Sequence, residues 1–164
     1  MENIEKIKKD LKQVLSERRY EHSIGVMNMA EELAKIYKVD METAKIAGLL
    51  HDNAKEMTKE EMLKYVEENN IEITEFEKLN VPILHGKIGA DIAKKKYGVS
   101  EQIAKAIEYH TTTSPKMDTL AKIIYVSDKV ELTRKSEKFD IESERKLATI
   151  DLDKTVLLLS LIHI

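Results

Sequence analysis

The 164-residue chain contains no cysteine. That excludes a disulfide framework and a thiolate metal site, and it suits a reducing compartment, so a cytoplasmic protein is expected. Glycine and proline are scarce, at five and two residues. So few backbone breakers favour long helices over a turn-rich strand fold. The opening segment MENIEKIKKDLKQ alternates charge and lacks the apolar region of a secretory leader. No run approaches the ~20 apolar residues that a membrane span needs. An excess of positive charge is also missing: the formal net charge is −3 and the sequence pI about 6.0. Broad nucleic-acid binding is thereby excluded, whereas a phosphate ligand stays open wherever basic residues cluster locally.

What is present fits one soluble helical domain. Hydrophobic residues make up 42% and charged residues 35%, and the length suffices for a real core under charged outer faces. The spacing of apolar residues predicts an all-α chain. Helices are expected over 2–16, 18–38, 41–51, 58–69, 85–97, 100–110, 117–135 and 143–159, with 70–84 irregular. Thr58 followed by Glu61 has the form of a capping box. The small residues Ala44, Ala47 and Gly48 would let another helix approach closely. The domain is expected to span 1–158. Its last six residues, LSLIHI, match the translation of a transposon sequencing adaptor codon by codon, so 159–164 is expected to be a non-native tail and His163 is given no role.

Several helices point a titratable group inward. His22 shares a face with Val26 and Ala30, His51 with Gly48 and Ala44, His110 with Ile107 and Ile103, and Asp128 with Tyr125 and Ile124. Asp52 and His85 join them. A lone histidine on such a face is usually a hydrogen-bonded core residue, and a lone aspartate a cap or half of an ion pair. Together they raise a different reading. Two inward carboxylates each need a partner, no arginine or lysine lies on the faces just drawn, and imidazole with carboxylate is a ligand set for iron, manganese or zinc. The pattern alone leaves core histidines and a metal site both open.

Longer stretches carry a resemblance. The order His22, His51-Asp52, Asp128 resembles the metal-dependent phosphohydrolases of the HD superfamily. The segments RRYEHSIGV, AGLLHDNAKEMTKEEM, LHGKIGADIAKKKYGV, AIEYHTTTSPKM and KIIYVSDKVELTR are similar to the bacterial YqeK-type symmetrical bis(5′-nucleosyl)-tetraphosphatases, over residues 15–158. The resemblance implies an HD-domain helical bundle and a metal, typically iron, with manganese as the second choice and one or two ions. It implies His22, His51, Asp52 and Asp128 as metal ligands. His85 and His110 match residues that face the phosphates, or that bind a second metal in some related proteins. Lys55, Glu56, Met57, Thr58, Thr111, Thr112 and Arg134 match nucleotide-contacting positions, and His22 and Asp128 contact substrate as well as metal.

The implied reaction is hydrolysis of diadenosine tetraphosphate and similar dinucleoside polyphosphates into two ADP, by a homodimer. Such chemistry needs a nucleophile at neutral pH and a holder for anionic oxygens, both of which a bound metal supplies. Asp52 is expected to position the water. His85 and His110 are expected to serve the phosphates or the departing ADP, and Lys55, Lys87 and Arg134 to neutralise charge. Two positions depart from the family's habit: Thr113 stands where glycine is frequent and Leu132 where proline is. A nucleotide-contacting segment would lie beyond residue 158. The rival readings are an HD hydrolase of another nucleotide, such as a deoxynucleoside monophosphatase, and a non-catalytic nucleotide-binding protein.

Overall fold

Local capping chemistry sets where most helices begin. A computed structural model describes residues 4–136 and 140–162. Its helices are α1 (Ile4–Val14), α2 (Glu17–Tyr37), α3 (Met41–Leu50), α4 (Lys59–Glu68), α5 (Glu75–Leu79), α6 (His85–Tyr97), α7 (Glu101–Tyr109), α8 (Thr119–Val130), α9 (Ile141–Ala148) and α10 (Leu152–Ile162), with a short 3₁₀ turn at Val81–Leu84 before α6. No strand occurs among the described residues. Ser16, Asp40, Ser100 and Asp118 each accept a bond from a backbone N–H in the first turn of α2, α3, α7 and α8. Thr58 and Thr74 form full capping boxes with Glu61 and Glu77. Gly98 ends α6 at φ +62°, a left-handed cap that glycine adopts without strain.

The all-α expectation holds, with two differences in helix length. The helix expected to reach residue 135 stops at Val130. Glu131 turns extended at ψ 158°, and Arg134 N–H then bonds back to Glu131 O at 3.0 Å. The helix expected over 143–159 is two. Ile150 and Asp151 N–H both close on Leu147 O, and the Asp151 carboxylate accepts from Lys154 N–H at 3.0 Å, opening α10. The irregular 70–84 segment holds α5 and the 3₁₀ turn. Leu159, first of the six terminal residues singled out above, is fully buried in the core; His163 lies outside the described residues.

Two apolar clusters organise the bundle. The larger joins α1, α2, α3, α6, α7, α8, α9 and α10 around residues such as Leu33, Leu49, Ile107 and Ile124. The smaller gathers Ala54, Met62, Val66, Leu84 and Ile88 beneath α4 and α6. Gly48 lets α3 lie directly on α2: a Cβ there would come within 3.1 Å of Met27 N, Met27 Cα and Val26 O. Backbone cannot give way as a side chain can. Gly48→Val is therefore expected to lower stability by about 2–3 kcal/mol, the upper part of the range for an overfilled core, read as a fall in the thermal melting midpoint. A variant melting like wild type would show that the two helices separate freely.

Candidate metal centre and substrate cavity

Five pieces of chain bring six titratable side chains to one place, all of them buried. His22 sits in the second turn of α2, His51 and Asp52 follow the end of α3, His85 opens α6, His110 caps the end of α7, and Asp128 lies near the end of α8. The contact at Gly48 sets α3 against α2, and therefore His51 against His22. Asn53 ties the turn after α3 to α6 through Nδ2 bonds to Leu50 O at 2.8 Å and Gly89 O at 3.0 Å. Gly86 brings the start of α6 onto the end of α7, where an added Cβ would stand 2.7 Å from Glu108 O. That approach puts His85 Nε2 and His110 Nε2 only 3.0 Å apart.

The side chains form two groups that share Asp52. In the first, His22, His51, Asp52 and Asp128 each offer a ligand atom, all within 4.8 Å of one another. His22 Nε2 lies 2.9 Å and His51 Nε2 3.2 Å from Asp128 Oδ1, and His51 Nε2 is 3.3 Å from Asp52 Oδ2. In the second, His85 Nε2 and His110 Nε2 lie 3.3 Å and 3.2 Å from the other Asp52 oxygen, Oδ1.

The far side of each ring decides what these nitrogens are. His51 Nδ1 faces Gly48 O at 2.7 Å, His85 Nδ1 faces Pro82 O at 2.7 Å, and His110 Nδ1 faces Ile107 O at 2.6 Å. A carbonyl only accepts, so each Nδ1 carries the hydrogen. In the neutral rings each Nε2 is then a lone pair, and three such lone pairs point at carboxylate oxygens. Acceptors facing acceptors at hydrogen-bond distance are repulsive unless a proton or a cation lies among them. The proton answer shows at His51: burial pulls its imidazole down, but the charges and hydrogen bonds of Asp52 and Asp128 outweigh it and raise it to about 10. Asp52 and Asp128 are held well below the ordinary carboxylate range despite burial, Asp52 chiefly by His51 and Asp128 chiefly by Lys129. His110 is pushed down by burial, so its Nε2 stays a lone pair. A divalent cation in each group would satisfy the same atoms, and the donor set fits one.

His22 is held differently. Its Nδ1 donates to Glu131 Oε2 at 2.5 Å. Glu131 is fully buried, and its carboxylate also accepts from Thr133 N–H at 2.5 Å and Thr133 Oγ1–H at 2.7 Å. Burial raises the Glu131 carboxyl, but the bond from His22 and those from Thr133 bring it below its ordinary value. A carboxylate behind a ligand histidine fixes ring orientation and tautomer. Gly25 makes the room: a Cβ there would stand 2.5 Å from Glu131 Oε1.

The sequence reading missed Glu131, although it lies one helical turn after Asp128. It found no arginine or lysine on the inward faces and named Arg134 but neither Arg19 nor Lys129; all three reach the aspartates. Arg19 Nη1 reaches Asp52 Oδ2 at 3.1 Å, Lys129 Nζ reaches Asp128 Oδ2 at 2.8 Å, and Arg134 Nη2 reaches Asp128 Oδ1 at 3.4 Å. Arg19 precedes His22 by three residues on the same helix, a signal that was readable.

Among known protein families, the HD domain matches residues 19–133. The symmetrical bis(5′-nucleosyl)-tetraphosphatase of Bacillus subtilis is 38% identical over 148 residues, covering 90% of this chain and 78% of that protein. The protein of the same description from Staphylococcus aureus is 34% identical over 155 residues, covering 94% and 79%. The crystal structure of a predicted HD superfamily hydrolase involved in NAD metabolism, from Clostridium acetobutylicum, superposes with a TM-score of 0.91 at 40% identity, covering 96% of this chain and 83% of that one. The chain belongs to the HD domain family, in its YqeK-type branch.

Both groups of this HD domain open on a cavity of about 530 Å³. Asp52, His85, His110 and Asp128 border it together with Arg19, Lys55, Lys129, Arg134 and Lys135. Thr111 also lines it, while Thr112 borders a neighbouring hollow with Thr111. The other residues of the turn after Lys55 are placed elsewhere. Glu56 accepts from Ser16 N–H at 2.8 Å, Met57 packs on the smaller apolar cluster, and Thr58 caps α4. Lys87 pairs with Glu77 at 2.9 Å, outside this cavity. No helix among the described residues is long and apolar enough to cross a membrane.

Proposed function

We propose that this HD domain hydrolyses diadenosine tetraphosphate and similar dinucleoside polyphosphates symmetrically, giving two ADP. One observation carries the reading: Nε2 lone pairs converge on Asp52 and Asp128 at the floor of a cavity rimmed by five cations. The names of the relatives at 34–38% identity supply the substrate class.

The metal ligands are His22, His51, Asp52 and Asp128, and Asp52 with His85 and His110 forms a second place for an ion. Iron is the expected metal and manganese the alternative, both suited to imidazole and carboxylate donors. Bound there, the metal supplies Lewis acidity and an activated water. Asp52 would align the attacking water: among the described residues it is the one group common to both clusters. Arg19, Lys55, Lys129, Arg134 and Lys135 neutralise phosphate oxygens, the arginines as forked donors and the lysines as point charges. Water adds to phosphorus in the middle of the chain, the bridging bond between the second and third phosphates breaks, and a proton passes to the oxygen that leaves. His85 and His110 serve that departing ADP where they hold no ion. Thr111 and Thr112 contact substrate in the same reading, and Glu56, Met57 and Thr58 would do so only from outside the cavity described. The enzyme would be a cytoplasmic homodimer with residues 1–158 as its domain.

The test is metal content measured alongside chromatographic identification of products from diadenosine tetraphosphate. ADP alone, with iron or manganese bound, is the expected outcome. ATP with AMP would overturn symmetrical cleavage. Faster turnover of nucleoside monophosphates would move the protein to a different HD hydrolase.

A further inference from the structure

Among the described residues, the cavity has one acidic neighbour that belongs to neither His/Asp group. Glu144, on α9, borders it beside Ile141, and Ile83 of the 3₁₀ turn lines it too. Glu144 is 4% exposed. Its Oε2 is buried and has no hydrogen-bond partner among the described residues. Burial and the charge of Asp140 raise its carboxyl above the ordinary glutamate range. The remaining polar lining is cationic, hydroxylic or part of the metal groups.

A buried acceptor without a donor weakens a fold, because the lost hydration is not replaced. An apolar side chain of similar size would serve packing better. The fold therefore gains nothing visible from the acid, and a donor brought by a ligand would complete it. Phosphate cannot be that donor: its oxygens only accept, and they repel a carboxylate. On the proposed substrate the remaining donors are the ribose hydroxyls and the amino group of the base. Resting on the functional reading above, we infer that Glu144, Ile83 and Ile141 form a nucleoside subsite, in which the carboxyl accepts an O–H or N–H of the nucleoside and the two isoleucines pack on its carbon framework.

The experiment compares wild type, Glu144→Leu and Glu144→Gln as metal-loaded proteins. Thermal melting is measured, together with inhibition of diadenosine tetraphosphate hydrolysis by ADP and by inorganic tripolyphosphate. Glu144→Leu is expected to melt at or above wild type. Its ADP inhibition constant is expected to rise about tenfold, the size of one lost hydrogen bond, while tripolyphosphate inhibition stays within about twofold. The Gln side chain keeps one acceptor and is expected to fall between. Deoxy-ADP analogues and inosine diphosphate separate the two donors: the analogue on which wild type and Glu144→Leu no longer differ lacks the group that Glu144 accepts. Equal weakening of ADP and tripolyphosphate, unchanged ADP inhibition, or a large fall in melting temperature in either variant would overturn the subsite. Wild type that releases no ADP from diadenosine tetraphosphate would instead sink the broader functional reading, and that control is read first.

Discussion

Asp52→Asn is expected to cut ADP release from diadenosine tetraphosphate by more than about a hundredfold, the upper bound typical of losing a group behind a metal ligand, since here the ligand itself is changed. Bound metal should fall in the same preparation. The expectation comes from how the carboxylate is shared: Oδ1 faces His85 and His110, and Oδ2 faces His51 and Arg19. Among the described residues no other serves both groups. Asparagine keeps the volume and replaces one oxygen by an N–H₂ that donates to an Nε2 lone pair. The exchange also removes the charge that pairs with Arg19 and raises His51, so the empty fold is expected to melt lower as well as to lose its hold on a cation. Asp128→Asn is the comparison, because Asp128 contacts only the first group. Elemental analysis and product release on the same samples decide the matter; Asp52→Asn with full metal and a near wild-type rate would remove Asp52 from the centre.

Glu131→Ala is expected to weaken metal retention by about 10–100-fold, although Glu131 is not itself in either ligand group. The substitution leaves the Nδ1–H of His22 unpaired in a buried position, and Thr133 loses its acceptor. Stability should fall by about 1–3 kcal/mol, the cost of an orphaned buried donor. Gly25→Ala should reach a similar end from the other side, because its Cβ would occupy the place of Glu131 Oε1. The rate of metal loss to a chelator and the melting midpoint are the two measurements. Glu131→Gln keeps an acceptor for His22 and should retain more metal than Glu131→Ala. Equal retention by wild type and Glu131→Ala would show that His22 orients without help.

The class of fold and the inward positions of His22, His51, His110 and Asp128 were legible because helical periodicity and capping are local properties. The ends of α8 and α9 were not. No glycine or proline marks Glu131; α8 stops where Arg145 donates to Val130 O and Glu131 O, and where Thr133 holds the Glu131 side chain, contacts that the apolar periodicity does not register. Lys129 escaped for a related reason. Lys129 is adjacent to Asp128 in sequence, a spacing that does not put two residues on one helix face, yet its long stem lets the ammonium reach both Asp128 and the ring of Tyr125, 4.7 Å away. Glu56 shows the opposite limit. Its motif position suggested a ligand contact, while its carboxylate is engaged with the backbone at the start of α2.

The backbone contact at Gly48 divides the labour of the molecule. Because α3 rests on α2 without an intervening side chain, the gap between His22 and His51 follows from the thickness of two bare helices. Reactive chemistry is thereby anchored where backbone meets backbone. The outer walls are built differently: Ile83 of the 3₁₀ turn and Ile141 and Glu144 of α9 border the cavity. Descendants of one ancestor could trade substrates by altering those walls and leave the reacting atoms where they are.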